Sequence, residues 1–219
     1  MDAASEPNGF ALLVEDCCKA FERVRALRFF NPLTFDIEEY NNLADLIYDD
    51  TGDMNWIVPG KILAMTSPSI NRAEGMPPLN YIDFFKKAGI SAVIRLNEKL
   101  YIDEDFYRHG IRVYPMELTD ASAPSVNMIT DFLMQAELEI EGREGAIAVH
   151  CRAGQGRTGT FCAAYLMWKY QFTAKMAIAW VRMCRPGSVY GPSQQALVKM
   201  EPNLMDLMYG KCMKDVEKR

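Results

Sequence analysis

The stretch Ala146-Ile147-Ala148-Val149-His150-Cys151-Arg152-Ala153-Gly154-Gln155-Gly156-Arg157-Thr158-Gly159-Thr160 constrains this chain more than any other. Its first four residues are an uninterrupted apolar run of strand length, the pattern of a strand buried on both faces. A glycine-bearing loop follows, then a helix candidate from Thr158 to Tyr170. A loop running from a buried strand into a helix N-terminus turns several backbone N–H groups into one concavity, and the helix dipole adds positive potential there. Such a nest takes a phosphate group. Cys151 stands at its rim, where the same field pulls a thiol below its free pKa of about 8.5 and makes a thiolate available at neutral pH. Arg157, six residues on, can fold back and grip two phosphate oxygens as a fork. Gly154 and Gly156 let the backbone turn its amides inward. A cysteine and an arginine at this spacing are weak by themselves, but the full string in this context is specific. The competing reading, an inert thiol at a strand end, is set aside because motif and context so rarely coincide.

The rest of the chain alternates short strands and helices. Trp56–Val58 and Ile62–Met65 read as strands around a Pro59-Gly60 turn, and Ala92–Leu96, Val113–Leu118 and Ala146–Val149 as further strands. Helix patterns cover Leu79–Gly89, Asp103–His109, Pro124–Ile140, Thr158–Tyr170, Thr173–Met183 and Ser193–Met208. This alternation predicts an α/β fold, a central mixed β-sheet flanked by helices. Ahead of it, Phe10, Leu13, Val14, Cys17, Phe21, Val24 and Leu27 recur at helical spacing and predict an amphipathic helix packed on the main body. Phe29-Phe30-Asn31-Pro32 ends it, and Asp36-Ile37-Glu38-Glu39 reads as a capping box opening a second helix to about Tyr48. The expected division is an N-terminal helical segment at 1–53, a catalytic domain at 54–210 and a charged, frayed tail at 211–219.

Composition removes several classes of function. The chain of 219 residues carries 24 basic and 29 acidic side chains, a net charge of −5, and lacks the basic surface that nucleic-acid binding requires. No apolar run approaches the roughly 18 residues of a membrane span, and the N-terminus has no signal-peptide pattern. The six cysteines are irregularly spaced and the chain is large for a disulfide scaffold, so free thiols and an intracellular setting are expected. The expected location is the cytoplasm, with diffusion into the nucleus open to a chain this small.

The Cys-five-residues-Arg signature, with His150 before and Thr158 after, resembles the cysteine-dependent protein phosphatases. That resemblance implies two-step chemistry: Cys151 attacks phosphorus and forms a phosphocysteine, and water then hydrolyses it. The amides of Arg152, Ala153, Gly154, Gln155, Gly156 and Arg157, with the Arg157 side chain, stabilise the transferring phosphoryl charge. Thr158 hydrogen-bonds the sulfur as leaving group, and His150 orients the loop from beneath. The general acid comes from an upstream loop between a strand and a helix. Glu117-Leu118-Thr119-Asp120-Ala121-Ser122-Ala123-Pro124 has that layout, and Asp120 is the choice over Glu117, which should alternate away on the strand. Asp120 as a plain turn residue is the competing reading. Gln194, with Gln195 as runner-up, matches the place of a water-positioning residue, though a helix-start role fits it equally. No metal and no cofactor is expected, because Arg157 and the amides supply the positive potential.

Asn55-Trp56-Ile57-Val58-Pro59-Gly60-Lys61, Val93-Ile94-Arg95-Leu96-Asn97, Glu144–Cys151 and Ala177-Ile178-Ala179-Trp180 sharpen the resemblance to the mitotic-exit (cell-division-cycle-fourteen) dual-specificity phosphatases, from about Phe35 to Gln195. The resemblance implies phosphoprotein substrates bearing phosphoserine or phosphothreonine before proline, with a basic residue shortly after. Family members carry a further phosphatase-like domain ahead of the catalytic one, and this sequence has room only for the connecting helical region, so a shortened version is expected. Asp36, Glu38 and Glu39 fall in the region that supplies part of the acidic substrate groove, or are simply a solvated, capped helix start. Departures from the family pattern are Gln155 for the usual Leu, and Ala121 and Ala123 for the usual Gly and Thr. Three alternatives stay open: a generalist preferring phosphotyrosine, a phosphate-binding module without turnover, and a scaffold that forms a homodimer through its N-terminal helices.

Overall fold

The computed structural model describes residues 10–38, 53–71 and 75–217, with side chains through residue 207. Five strands, β1 (Met54–Val58), β2 (Ile62–Met65), β3 (Ile90–Arg95), β4 (Arg112–Pro115) and β5 (Ala146–His150), form one sheet in the order β1-β2-β5-β3-β4. β1 and β2 make an antiparallel hairpin about Pro59-Gly60, and the remaining neighbours run parallel. The described α-helices are α1 (Val14–Ala26), α2 (Ile82–Lys87), α3 (Glu104–Tyr107), α4 (Val126–Glu137), α5 (Gly156–Tyr170), α6 (Ala174–Cys184) and α7 (Pro192–Glu217).

β5 is central and every one of its residues is buried, as its unbroken apolar run implies. Side chains alternate across the sheet. Ile147 and Val149 join Ile57, Ile62, Ala64 and Ile94 on the face covered by α1, α4, α5, α6 and α7. Ala146 and Ala148 join Leu63, Met65 and Val93 on the other, under Tyr81, Ile82, Phe85 and Phe106. α5 is buried from Gly156 to Trp168 and passes through the larger core. The mixed sheet and its flanking helices are those the sequence pattern calls for.

α1 packs on the main body, burying Ala20 and Val24 with Cys17, Phe21 and Leu27 partly covered, but Leu13 and Val14 of the expected apolar stripe face solvent where the helix begins. Arg23 fastens it by donating twice to the Tyr170 carbonyl, at 3.0 and 2.8 Å. Asp36 Oδ1 accepts from the Glu38 N–H at 2.8 Å, a capping turn at the expected second helix. The remainder of that helix, including Glu39, and most of the expected domain boundary lie outside the described residues.

Several element bounds differ from the sequence pattern. The Leu79–Gly89 segment splits into a 3-10 turn, Pro78–Tyr81, and α2. α4 begins at Val126 rather than Pro124, because the Ser125 hydroxyl caps it by accepting from the Met128 N–H. It then widens into a π-turn, Leu138–Gly142, before Ile140 can close it. β4 stops at Pro115, although Met116 and Leu118 still donate to the carbonyls of Arg95 and Leu96. The expected frayed tail is helical in backbone to Glu217, as the continuation of α7.

The π-turn carries Glu139, whose side chain is fully buried. It accepts from Arg112 Nε (2.7 Å), Tyr114 Oη (2.6 Å), Ser91 Oγ (2.8 Å) and Arg143 Nη1 (2.6 Å). Burial raises its pKa, but the hydrogen bonds from Arg112, Tyr114 and Ser91 outweigh that and hold it at about 2. This carboxylate ties β3, β4 and the end of α4 together. No described helix is long and apolar enough to cross a membrane.

Candidate active site

The loop after β5 owes its shape to donors that reach it from outside. His150 Nδ1 lies 3.2 Å from the Cys151 carbonyl. A carbonyl only accepts, so Nδ1 carries the proton. Burial holds the His150 pKa down at about 3, so the ring is neutral and Nε2 accepts from the Tyr101 hydroxyl at 2.9 Å. The Ser67 N–H donates to the Arg152 carbonyl at 3.0 Å. Arg185 donates to the next two, Nη2 to Ala153 O at 3.0 Å and Nε to Gly154 O at 2.6 Å. Four consecutive carbonyls are thus drawn outward. A trans peptide sets its N–H opposite its C=O, and no described peptide is cis, so the N–H groups of residues 152–155 turn the other way, into the loop. α5 begins immediately after, at Gly156, with its first N–H groups and dipole added to the same concavity.

The two glycines serve different ends. Gly154 has φ +66°, and a Cβ there would stand 2.2 Å from the Met65 carbonyl oxygen. Gly156, expected to free the backbone, instead opens the helix and makes room. A Cβ on it would meet the Tyr190 ring at 2.8 Å.

Cys151 is 3% exposed at the foot of this loop. Arg157 is buried with it and donates from Nη1 to Leu118 O at 2.9 Å. Its Nη2 lies 3.2 Å from Asp120 Oδ1. The structure therefore brings Arg157 of α5 and Asp120 of an upstream turn together, at the end of the loop that Cys151 opens. Asp120 itself is largely exposed, in a turn where Ala121 takes φ +56°. Glu117 does not turn away idle: it sits 3.4 Å from Arg95 Nη1. Two buried groups in the first turn of α5 have no partner, Arg157 Nε and Thr158 Oγ1, so the expected Thr158–sulfur bond is not made here.

Other expected residues stand apart from this cluster or at its rim. Gln194 is buried, and both ends of its amide are engaged, Oε1 by Arg182 at 2.9 Å and Nε2 by Gly191 O at 3.3 Å. Gln195 is half-buried. Asp36 and Glu38 are exposed. Gln155 donates to Pro186 O at 3.2 Å, which fixes the loop against the segment after α6. Cys17, Cys18, Cys151, Cys162 and Cys184 are all free thiols, and burial pushes Cys162 up to about 12.

Sequence reasoning passed over Arg185, Tyr101 and Tyr190. Arg185 lay in Cys184-Arg185-Pro186-Gly187 with nothing local to mark it as buried. Tyr101 approaches His150 from a loop 49 residues upstream. Tyr190 follows Val189, whose φ of +56° brings the ring over Gly156. That contact places Tyr190 at the helix start, where burial first, and then the charges of Asp120 and Cys151, raise its hydroxyl pKa.

The fold recurs in solved structures. A mutant form of Tk-PTP superposes with a TM-score of 0.59 at 25% identity, covering 70% of this chain and 97% of that one. PTPMT1 superposes at 0.60 and 19% identity, covering 74% and 99%. The fold and its loop thus define a phosphatase-type α/β domain. The family model for the Swiss Army Knife DSP-PTPase phosphatase domain matches residues 51–198, and the chain belongs to that family. Among curated relatives, the dual specificity protein phosphatase CDC14A of Homo sapiens is 41% identical over 200 residues, 89% of this chain and 32% of that protein. The tyrosine-protein phosphatase CDC14 homolog of Schizosaccharomyces pombe is 34% identical over 221 residues, 97% of this chain and 40% of that protein. The chain spans about a third of the length of the curated relatives it matches first.

Proposed function

We propose that this chain is a protein phosphatase that works through a phosphocysteine. Cys151 sulfur attacks phosphorus while the bond to the substrate oxygen breaks and Asp120 gives that oxygen a proton. The three remaining phosphoryl oxygens lie against the N–H groups of residues 152–157 and the Arg157 fork. Water then attacks phosphorus, Asp120 takes its proton, and the sulfur leaves with Thr158 Oγ1 donating to it. Inorganic phosphate departs. His150 holds the start of the loop. The observation that carries this reading is the pair of buried, unpartnered donors, Arg157 Nε and Thr158 Oγ1, in the first turn of α5, with a buried thiol opening the loop that leads into it. A buried donor without a partner costs about 1–3 kcal/mol, and an arriving anion repays it.

The names of the relatives favour phosphoprotein substrates, on serine, threonine or tyrosine. We assign catalysis to residues 54–210, and recognition of a basic residue after a phosphoserine-proline pair to Asp36, Glu38 and Glu39. No role in the chemistry is assigned to Gln194, whose amide is already bonded. The test compares initial rates on matched phosphoserine-Pro-x-Lys and phosphotyrosine peptides, beside Cys151→Ser. Turnover abolished by the substitution is expected. Serine-proline preference supports the recognition assignment, and phosphotyrosine preference keeps the mechanism and removes that assignment. Equal turnover by Cys151→Ser overturns the mechanism.

A further inference from the structure

The Arg185 guanidinium is enclosed on every side by polar partners. Besides the carbonyls of Ala153 and Gly154, Nη1 reaches Asp53 Oδ1 and Asn55 Oδ1, each at 2.7 Å, and Nη2 reaches Asp53 Oδ2. Its side chain is 3% exposed, while that of Asp53 is 36% exposed. The cluster joins three distant parts of the chain: the residues leading into β1, the end of α6 and the loop after β5.

We propose that Arg185 is a positioning residue for phosphate binding, aimed in turn by Asp53. The inference rests on the phosphatase reading above and names a group outside its signature. Of the four carbonyls drawn outward, Arg185 alone holds two consecutive ones. Those two peptides carry the N–H groups of Gly154 and Gln155. Gly154 has no side chain to resist rotation and sits at positive φ, so its flanking peptide planes are the ones most in need of an external hold. The fork–fork pairing with Asp53 fixes the plane of the guanidinium, which a lysine ammonium could not do. The Asp53 carboxylate also balances a buried cation, so that the loop receives a local dipole and not an uncompensated charge.

The probe is tungstate, an inert phosphate-shaped oxyanion, measured by calorimetry alongside the rate at which iodoacetate alkylates Cys151. The proteins are the full chain, Arg185→Lys, Asp53→Asn and, as a stability control, the core variant Ile57→Val. Arg185→Lys should weaken tungstate binding by about a hundredfold, the scale of a small misplacement of positioning groups, and Asp53→Asn by about tenfold. Both should slow alkylation. Ile57→Val should lower the melting temperature and leave both readouts alone. Asp53→Asn changes a partly exposed residue and keeps the test open if Arg185→Lys does not fold. Tungstate affinity equal to wild type in Asp53→Asn or a folded Arg185→Lys overturns the assignment and leaves the phosphatase reading standing. Weakening in Ile57→Val in proportion to its melting temperature also overturns it, because fold stability would then account for the effect. Failure of the wild type to bind tungstate overturns both.

Discussion

The Glu139 cluster and the loop after β5 are built from similar parts and left in opposite states. Each gathers buried charge around guanidinium groups. At Glu139 the charge is an anion, and Arg112, Arg143, Tyr114 and Ser91 all donate to it. At the loop the gathered groups are donors, and Arg157 Nε and Thr158 Oγ1 have no partner. A satisfied cluster holds β3, β4 and the end of α4 in register. An unsatisfied one costs stability until an anion arrives. Tyr81, Arg95, Asn97, Asp103, Tyr165 and Ser188 also hold unpartnered buried atoms, so it is the placing of Arg157 Nε and Thr158 Oγ1 at the start of α5, and not the missing partner alone, that sets them apart from Glu139.

The largest effect expected is at Arg157. Arg157→Lys keeps a charge but loses the fork and the waiting Nε, so kcat/KM should fall about 10³-fold, the scale for losing a transition-state anion donor. Folding should barely change, since the guanidinium is only partly paired. Parallel kinetics and thermal melts check this. A large loss of stability with modest loss of rate would put Arg157 in the same class as Glu139 and break the comparison.

Glu139→Gln should show the reverse pattern. It leaves Arg112 and Arg143, both still in contact with solvent, facing a neutral amide, and losing their charge-assisted hydrogen bonds should cost about 1.5–3 kcal/mol. Rate per folded molecule should hold within about twofold. The same carboxylate sets an acid limit. Its folded pKa of about 2 lies below the usual 4.5, so the stability it gives is present above pH 4.5 and is lost as pH falls toward 2, about 3 kcal/mol in all. His150 acts earlier. Held neutral down to about pH 3 against an ordinary 6.5, it favours the unfolded chain progressively below pH 6.5. Denaturant melts from pH 7 to 3 should show wild-type stability falling below about pH 6.5 and falling more steeply below about pH 4.5, and Glu139→Gln should lack the steepening.

What the sequence disclosed and what it hid follow the same division. The mixed sheet, the buried central strand and Cys151 with Arg157 were legible because they are local: an apolar run, glycines and a fixed spacing. The approach of Asp120 to Arg157 was legible from its place between a strand and a helix. Arg185 was not, because its partners are 31–32 and 130–132 residues away and no periodicity links them. Tyr101 and the gathering of donors around Glu139 were hidden for the same reason. Helix ends were misjudged where a side chain decided the matter, as at the Ser125 cap, or where an extra residue in the turn made a π-bulge at Leu138–Gly142. Gly156 reads in the sequence as freeing the backbone, whereas the structure needs it for space, because the Tyr190 ring that occupies that space comes from another loop.

Thr158→Val sharpens the comparison at moderate size. The swap keeps shape and removes a buried hydroxyl that bonds to nothing, so the protein should gain about 1 kcal/mol and melt roughly 2–4 °C higher. Hydrolysis of the phosphocysteine should slow about 10–100-fold, the worth of a hydrogen bond to a departing charged sulfur. Rapid-quench detection of the accumulated intermediate checks the second half. A destabilised variant would mean that Thr158 belongs with the satisfied groups.

The smallest effect lies at Ala121. Its φ of +56° costs an L-residue about 1–2 kcal/mol, and the strain sits one residue from Asp120. Ala121→Gly removes the strain but gives the unfolded chain more freedom, worth about 0.4–1 kcal/mol, so the net gain should be under about 1 kcal/mol. Glycine also loosens the turn that brings Asp120 to within 3.2 Å of Arg157, so kcat should fall slightly while the denaturation midpoint rises. A fall in both would show that the alanine side chain packs usefully and that the acid loop, like Glu139, is held by satisfied contacts. A rise in the midpoint with reduced kcat would place the acid loop on the waiting side of the molecule, where stability is given up to keep a group ready.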